Sequence, residues 1–321
     1  MFTRRNAILC ATALVATSAR AQTGWAPSKP MRLVVPFAAG SATDILARAL
    51  SAKLQETWKQ PVVVDNKPGA GGMLAASEVT RATPDGHTLL VGTNTTHAAN
   101  PWLIRNLSYD PIKDFEAVTS LVLGANILVV HPDVPAKSVQ ELTAHIKANP
   151  GKLNFGEGSA SQRLSAEQYR QLTGVDIVHV PYKSGPPAMQ DLIAGQVQIM
   201  FSDPQNALPQ MRAGKVRALA VTSRQRTKAA PDLPTMVEAG VPGYELTWWQ
   251  ALYAPAKTPA NIVESLHAKL RDITADEATR ALMTAGAADV VLMPPAEFAA
   301  FTKSEIERWR KGIEAAGIKP E

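Results

Sequence analysis

Short apolar runs alternate along this chain with longer stretches in which apolar residues return every third or fourth position, and Gly, Pro, Asn or Ser marks most junctions. The first pattern predicts buried strands and the second amphipathic helices. Strands are predicted at 31–35, 62–64, 88–92, 127–130, 153–155, 177–180, 197–201 and 216–222. Helices are predicted at 45–58, 73–82, 139–148, 165–172, 188–194, 259–272 and 295–316. Such alternation is that of an α/β protein. No unit repeats at the spacing of a solenoid or propeller.

The order strand, loop, helix, strand runs through both halves of the chain. It predicts two lobes, each a mostly parallel sheet flanked by helices, with the chain crossing between them near 121–125 and again near 247–252. The first lobe then comprises 22–122 plus 251–321, and the second 123–250. Strand-end loops of two such lobes face one another, and ligands bind where they meet.

Composition narrows the function. Arg4 and Arg5, an apolar core over 7–16 and Ala19-Arg20-Ala21 make residues 1–21 a signal peptide, cut after Ala21, for export to the periplasm. That leader holds the one cysteine, Cys10, so the mature chain has no disulfide or thiol chemistry and must rely on its core. With 45% apolar residues a chain of this length can bury one. The net charge of +5 falls to +2 once Arg4, Arg5 and Arg20 leave, and the remaining basic residues are interspersed with acids, which argues against nucleic acid. No apolar stretch after Gln22 is long enough to span a bilayer. A soluble periplasmic monomer is expected.

Catalytic sets are missing from the sequence. The six histidines fall at no metal-ligand spacing, and neither H-E-x-x-H, G-x-S-x-G nor a Walker A sequence occurs. Gly69-Ala70-Gly71-Gly72 has Leu74 where a dinucleotide fingerprint needs its third glycine, and reads as a tight turn that lets the following helix pack closely. Neither an enzyme, a metal nor a cofactor is expected.

Four strand-end loops remain as a binding constellation. In Pro36-Phe37-Ala38-Ala39-Gly40-Ser41-Ala42-Thr43-Asp44, small residues lead into a helix whose first N–H groups can face an anion. Ser41-x-x-Asp44 there reads as a capping box, as a ligand contact, or as both. The second loop, 93–101, holds Thr95, Thr96 and His97 among hydroxyl and amide side chains that need partners once buried; His97 reads as structural or as a contact. The third, 156–163, repeats the first in the other half with Ser159, Ala160 and Ser161, and Arg163 pairs either with a second ligand carboxylate or with Glu157 or Glu167. In the fourth, Asp203 either accepts from a ligand amine or hydroxyl or caps the next helix. A helix start contributes about 0.3–1 kcal/mol when exposed and about 2 when partly buried, whereas micromolar affinity needs about 8 kcal/mol. The lobes must therefore close and add several hydrogen bonds.

Taken in order, several segments resemble the Bug family, the periplasmic receptors of tripartite tricarboxylate transporters. These are Val35 through Asp44, Val64-Asp65-Asn66-Lys67-Pro68-Gly69-Ala70-Gly71-Gly72, Thr83-Pro84-Asp85-Gly86-His87, Thr96-His97-Ala98-Ala99-Asn100-Pro101, Val180-Pro181-Tyr182-Lys183, Ala213 through Thr222 and Asp232-Leu233-Pro234-Thr235. The resemblance implies a two-lobed periplasmic binding protein, a Venus flytrap of type II kind, that captures a small carboxylate such as a dicarboxylate or amino acid. It also implies delivery to a two-component membrane permease; a sensor protein fed by the same ligand is the alternative partner. Carried over, the site comprises Phe37, Ser41, Thr43, Asp44, Thr95, Thr96 and His97 from one lobe and Ser159, Ala160 and Ser161 from the other, with Asp203 and Trp249 nearby; Ala42 and Arg163 join the candidate set from the loops themselves. The chain departs from the family at Ser41, where a second glycine is usual, at Arg163, where histidine is common, and at Phe201-Ser202-Asp203, which replaces Phe-Asp-Asn.

Overall fold

The computed structural model describes residues 24–284 and 288–320, so the leader and cleavage point predicted at 1–21 lie outside the described residues. The chain begins with β1 (Met31–Val35), α1 (Ala42–Trp58), β2 (Val62–Asn66), α2 (Met73–Thr80), β3 (Thr88–Thr93), α3 (Asn100–Leu103) and β4 (Phe115–Ala125). It continues through β5 (Ile127–Val130), α4 (Val139–Ala148), β6 (Asn154–Glu157), α5 (Ala160–Thr173), β7 (Val178–Pro181), α6 (Gly185–Ile193), β8 (Ile199–Ser202), α7 (Pro204–Arg212) and β9 (Arg217–Val221). The last part is β10 (Thr247–Pro255), α8 (Ala260–Thr274), α9 (Glu277–Thr284), β11 (Ala288–Val290) and α10 (Pro295–Ala315).

Two sheets result, ordered β11-β4-β10-β3-β1-β2 and β7-β6-β8-β5-β9. The chain leaves the first sheet between β4 and β5 and returns between β9 and β10. The two-lobed α/β arrangement is present, but the expectation of mostly parallel sheets needs correction. Parallel pairing among the described residues joins β1 to β2 and β3, and β6 to β7 and β8. The other ladders are antiparallel. The cause lies at the crossings: β4 runs into β5 with only Asn126 between them, so these strands enter their sheets without the helical crossover that parallel neighbours need.

β4 and β10 were not legible as strands. They pair from Phe115↔Pro255 to Ala125↔Thr247, with register shifts that leave Val118 and Leu121 of β4 unmatched. Each extra residue breaks the two-residue alternation by which a strand is recognised.

Alternation elsewhere sorts side chains cleanly. Met31, Leu33 and Val35 of β1 meet Leu46 and Leu50 of α1 on one face, while Val34 joins the core on the other. That second core runs across both lobes: Phe298, Trp309 and Ile313 of α10 share it with Trp249 and Tyr253 of the first sheet, Phe155 and Phe201 of the second, and Tyr169 of α5. A third cluster, with Ala188, Leu192 and Ala207, covers the far face of the second sheet. The glycine run forms a short 3-10 turn, Ala70–Gly72, ahead of α2. Gly72 has φ +82°, and a Cβ there would lie 2.7 Å from Pro36 and 2.9 Å from Thr96, so close packing beneath the first loop requires glycine.

Candidate functional site

Helices α1 and α5 begin with the same device, one in each lobe. Ser41 Oγ accepts from the Asp44 N–H at 3.2 Å, and Asp44 Oδ2 accepts from the Gly40 N–H at 2.9 Å. At α5, Ser159 Oγ faces the Gln162 N–H at 3.5 Å, and Gln162 Oε1 accepts from the Gly158 N–H at 2.8 Å. Each helix thus has a serine N-cap and a third-turn-position side chain that reaches back to the residue before the cap, a variant of the capping box. The caps fix where the helices start and leave other first-turn N–H groups with no carbonyl one turn back.

Both starts open on one cleft of about 360 Å³, part of it continuous with solvent. Phe37, Ser41, Ala42, Thr43, Thr95, Ser159, Ser161, Asp203 and Trp249 all line it, together with Thr93, Asn94, Gly158 and Gln162, which fall in the predicted loops without being named as site residues, and Gly185, Trp248 and Gln250, which were not predicted. The corners at 41–44 and 158–163 therefore face a common crevice. Gln162 was detectable, because Ser159-x-x-Gln162 is itself a capping-box spacing. Trp248 and Gln250 were not, since they sit in β10, which is buried on both faces and so shows no alternation.

Five predicted positions do not line the cleft. Asp44 is turned to its own loop, accepting from Gly40 N–H and, at 2.9 Å, from Arg48 Nε. Burial raises its carboxyl pKa, but hydrogen bonds from Arg48, Gly40 and Asn66 outweigh that, and the net shift is downward. Thr96 and His97 belong to a π-helical turn, Thr95–Ala99, that replaces the expected open loop. Thr96 Oγ1 accepts from Thr93 N–H at 3.0 Å and lies 2.9 Å from His97 Nδ1. The His97 ring is fully buried and stacks on Tyr253 with centroids 3.6 Å apart; burial lowers its pKa to about 3. Ala160 contributes through its backbone rather than its side chain: its N–H donates to Thr95 Oγ1 across the lobes at 3.2 Å. Arg163 lies within α5, which starts at Ala160 instead of 165, and is not among the cleft residues.

The polar atoms of the cleft define its chemistry. Asn94 Nδ2, Trp248 Nε1 and Gln250 Oε1 are buried and make no hydrogen bond. Asp203 occupies the N-cap position of α7, yet its carboxylate makes no capping bond and instead accepts from Gln162 Nε2 at 2.9 Å. Enclosure pushes this carboxyl up to about 6, with only partial relief from Gln162. Trp249 presents one side to the cleft while its Nε1 donates to buried Glu305 of α10 at 2.8 Å. Gly158 lets this wall form: a Cβ there would fall 1.9 Å from the Ser184 carbonyl carbon. Among the described residues, no group of three or more His, Cys, Asp or Glu could hold a metal ion.

Comparison with known proteins places this architecture. The model of the tripartite tricarboxylate transporter family receptor matches residues 46–318. Protein BugT of Bordetella pertussis is 32% identical over 315 residues, covering 97% of this chain and 96% of its own. The structure of R. palustris Rpa4515 with adipate superposes with a TM-score of 0.89 at 36% identity, covering 92% of this chain and 99% of that one. MatC from Rhodopseudomonas palustris with bound malate gives 0.83 at 36% identity, covering 89% and 99%. The chain belongs to the receptor family of the tripartite tricarboxylate transporters.

Proposed function

We propose that this protein is a periplasmic receptor that captures a small organic carboxylate between its lobes, 22–122 plus 251–321 and 123–250, and delivers it to a membrane permease. The observation that carries the reading is the pair of serine-capped helix starts, one per lobe, opening on a single cleft. A carboxylate there would take N–H groups from Ala42, Thr43 and Ser161 with hydroxyls of Ser41, Thr43, Ser159 and Ser161, and both helix dipoles would favour its charge. Relatives of similar sequence and fold with adipate and malate bound support a carboxylate as the ligand. Export after cleavage at Ala21 supplies the compartment such a receptor works in.

A thermal-shift panel of organic acids and amino acids on protein purified from the periplasm tests this reading. At least one carboxylate should raise the melting temperature and bind with one-to-one stoichiometry in calorimetry. Ser161→Ala and Ser41→Ala should each weaken that binding about 10–150-fold, the loss of one hydrogen bond to a charged group. A panel in which no carboxylate produces a response overturns the proposal.

A further inference from the structure

The cleft has an electrostatic feature that a carboxylate alone does not match. Among the described residues lining it, Asp203 carries the only charge, and that charge is negative. A simple dicarboxylate would add two more negative charges to a site whose positive potential comes only from helix dipoles. Asp203 is also not consumed by its local role: it stands at the N-cap of α7, where a carboxylate ordinarily bonds the helix, but makes no such bond. Its oxygen is instead oriented by Gln162, whose other amide atom is fixed by the Gly158 N–H at the start of α5. Gln250 Oε1, which also lines the cleft, is a buried acceptor without a partner. The cleft thus offers N–H and O–H donors at its helix starts and hydrogen-bond acceptors beside them.

Resting on the receptor reading above, we propose that the ligand is zwitterionic, an amino acid whose carboxylate sits on the helix starts and whose ammonium is held by Asp203 with help from Gln250. Asp203 is then the residue that sets specificity. The pairing satisfies both oppositely charged ends and leaves the cleft with one net negative charge rather than three. It also relieves the carboxylate that enclosure pushes up to about 6, because an adjacent cation favours its ionised form.

Calorimetry with matched probes tests this: propionate, lactate and alanine, and succinate, malate and aspartate, each set differing only in hydrogen, hydroxyl or ammonium at carbon 2. The ammonium member of at least one set should bind ten-fold or more tighter than its unsubstituted acid. Near pH 6 that binding should release about half a proton per ligand, read from its dependence on buffer ionisation enthalpy, as Asp203 loses the proton it shares at its pKa. Asp203→Asn should abolish the release and cut the ammonium preference at least ten-fold; if that variant does not fold, the probe series and the proton release in the unaltered protein still decide. An unsubstituted acid binding as tightly as its ammonium counterpart, or amino acid binding without proton release, overturns the zwitterion proposal while leaving the receptor intact. Failure of all six probes and of every other acid removes the receptor reading itself.

Discussion

Two ionisable side chains near the cleft make opposite demands on pH. His97 is held neutral, with its pKa lowered to about 3 by burial, against about 6.5 in an unfolded chain. The unfolded state therefore binds a proton that the folded state refuses, and stability present above pH 6.5 is lost as pH falls towards 3. Between pH 7.5 and 5 this one group should cost about 2 kcal/mol. Asp203 runs the other way. Its folded pKa of about 6 lies above the ordinary 3.8, so the folded state holds its proton more tightly, and stability falls as pH rises through 6. Denaturant titrations at pH 4.5, 6 and 7.5 separate the two. His97→Asn should flatten the acid side of the profile relative to the parent while losing some stability throughout from the lost stack on Tyr253. Asp203→Asn should gain up to about 2–3 kcal/mol on the parent at pH 7.5 and little at pH 4.5. Parallel profiles for parent and variants would show that neither group carries a linked proton.

At the scale of elements, the site is two strand-to-helix corners, and each corner depends on its cap. Removing the Ser159 hydroxyl by Ser159→Ala takes an acceptor from the Gln162 N–H and should cost about 1 kcal/mol of stability, with a further loss of affinity because that hydroxyl also lines the cleft. Gly158→Ala should be harsher, since its methyl would meet the Ser184 backbone at 1.9 Å. Backbone at 184–185 must then move, and chemical denaturation should show at least about 2 kcal/mol lost. These corners were the most legible part of the chain, because a serine three residues before an acceptor side chain, placed after an apolar run, is a local signal. Ser41 was read that way, whereas Thr95, Ser159, Ser161 and Asp203 were named for the strand-end loops that hold them and for the family resemblance. Three other features did not show in the apolar pattern. The turn at Thr95–Ala99 winds into a π-helix in which Thr96 serves both the Thr93 N–H and the His97 ring. Helix α5 starts before its apolar periodicity does, its first turn being capped polar residues. Strand β4 lost its alternation to two extra residues, and β10 is buried on both faces and so has none to show.

On the scale of the whole molecule, two kinds of link join the lobes, and they have different strengths. The paired crossings β4 and β10 and the core gathered around α10 are extensive and apolar, so they hold the lobes together in any state. Elsewhere the links are few and polar: between the two corners the Ala160 N–H of α5 reaches Thr95 Oγ1 of the other lobe at 3.2 Å, and farther off Gln205 Nε2 of α7 reaches the Thr284 carbonyl of α9 at 3.3 Å. Such a bond contributes about 1 kcal/mol net, about a five-fold bias between joined and separated corners, which a ligand can override. The segments that cross between the sheets, Asn126 after β4 and the chain between β9 and β10, are where a small dihedral change would turn one lobe against the other. Thr95→Val keeps the side-chain volume and deletes the acceptor. In solution without ligand it should shift the balance about five-fold towards separated corners, seen as a longer mean distance between spin labels placed on exposed α1 and α5 positions such as Glu56 and Gln171. With saturating ligand the distance should return to that of the parent, because N–H groups of both corners then share one anion. A variant whose label distance matches the parent without ligand would mean that the apolar links alone set the angle between the lobes, and that the hydrogen bond across the cleft follows closure without favouring it.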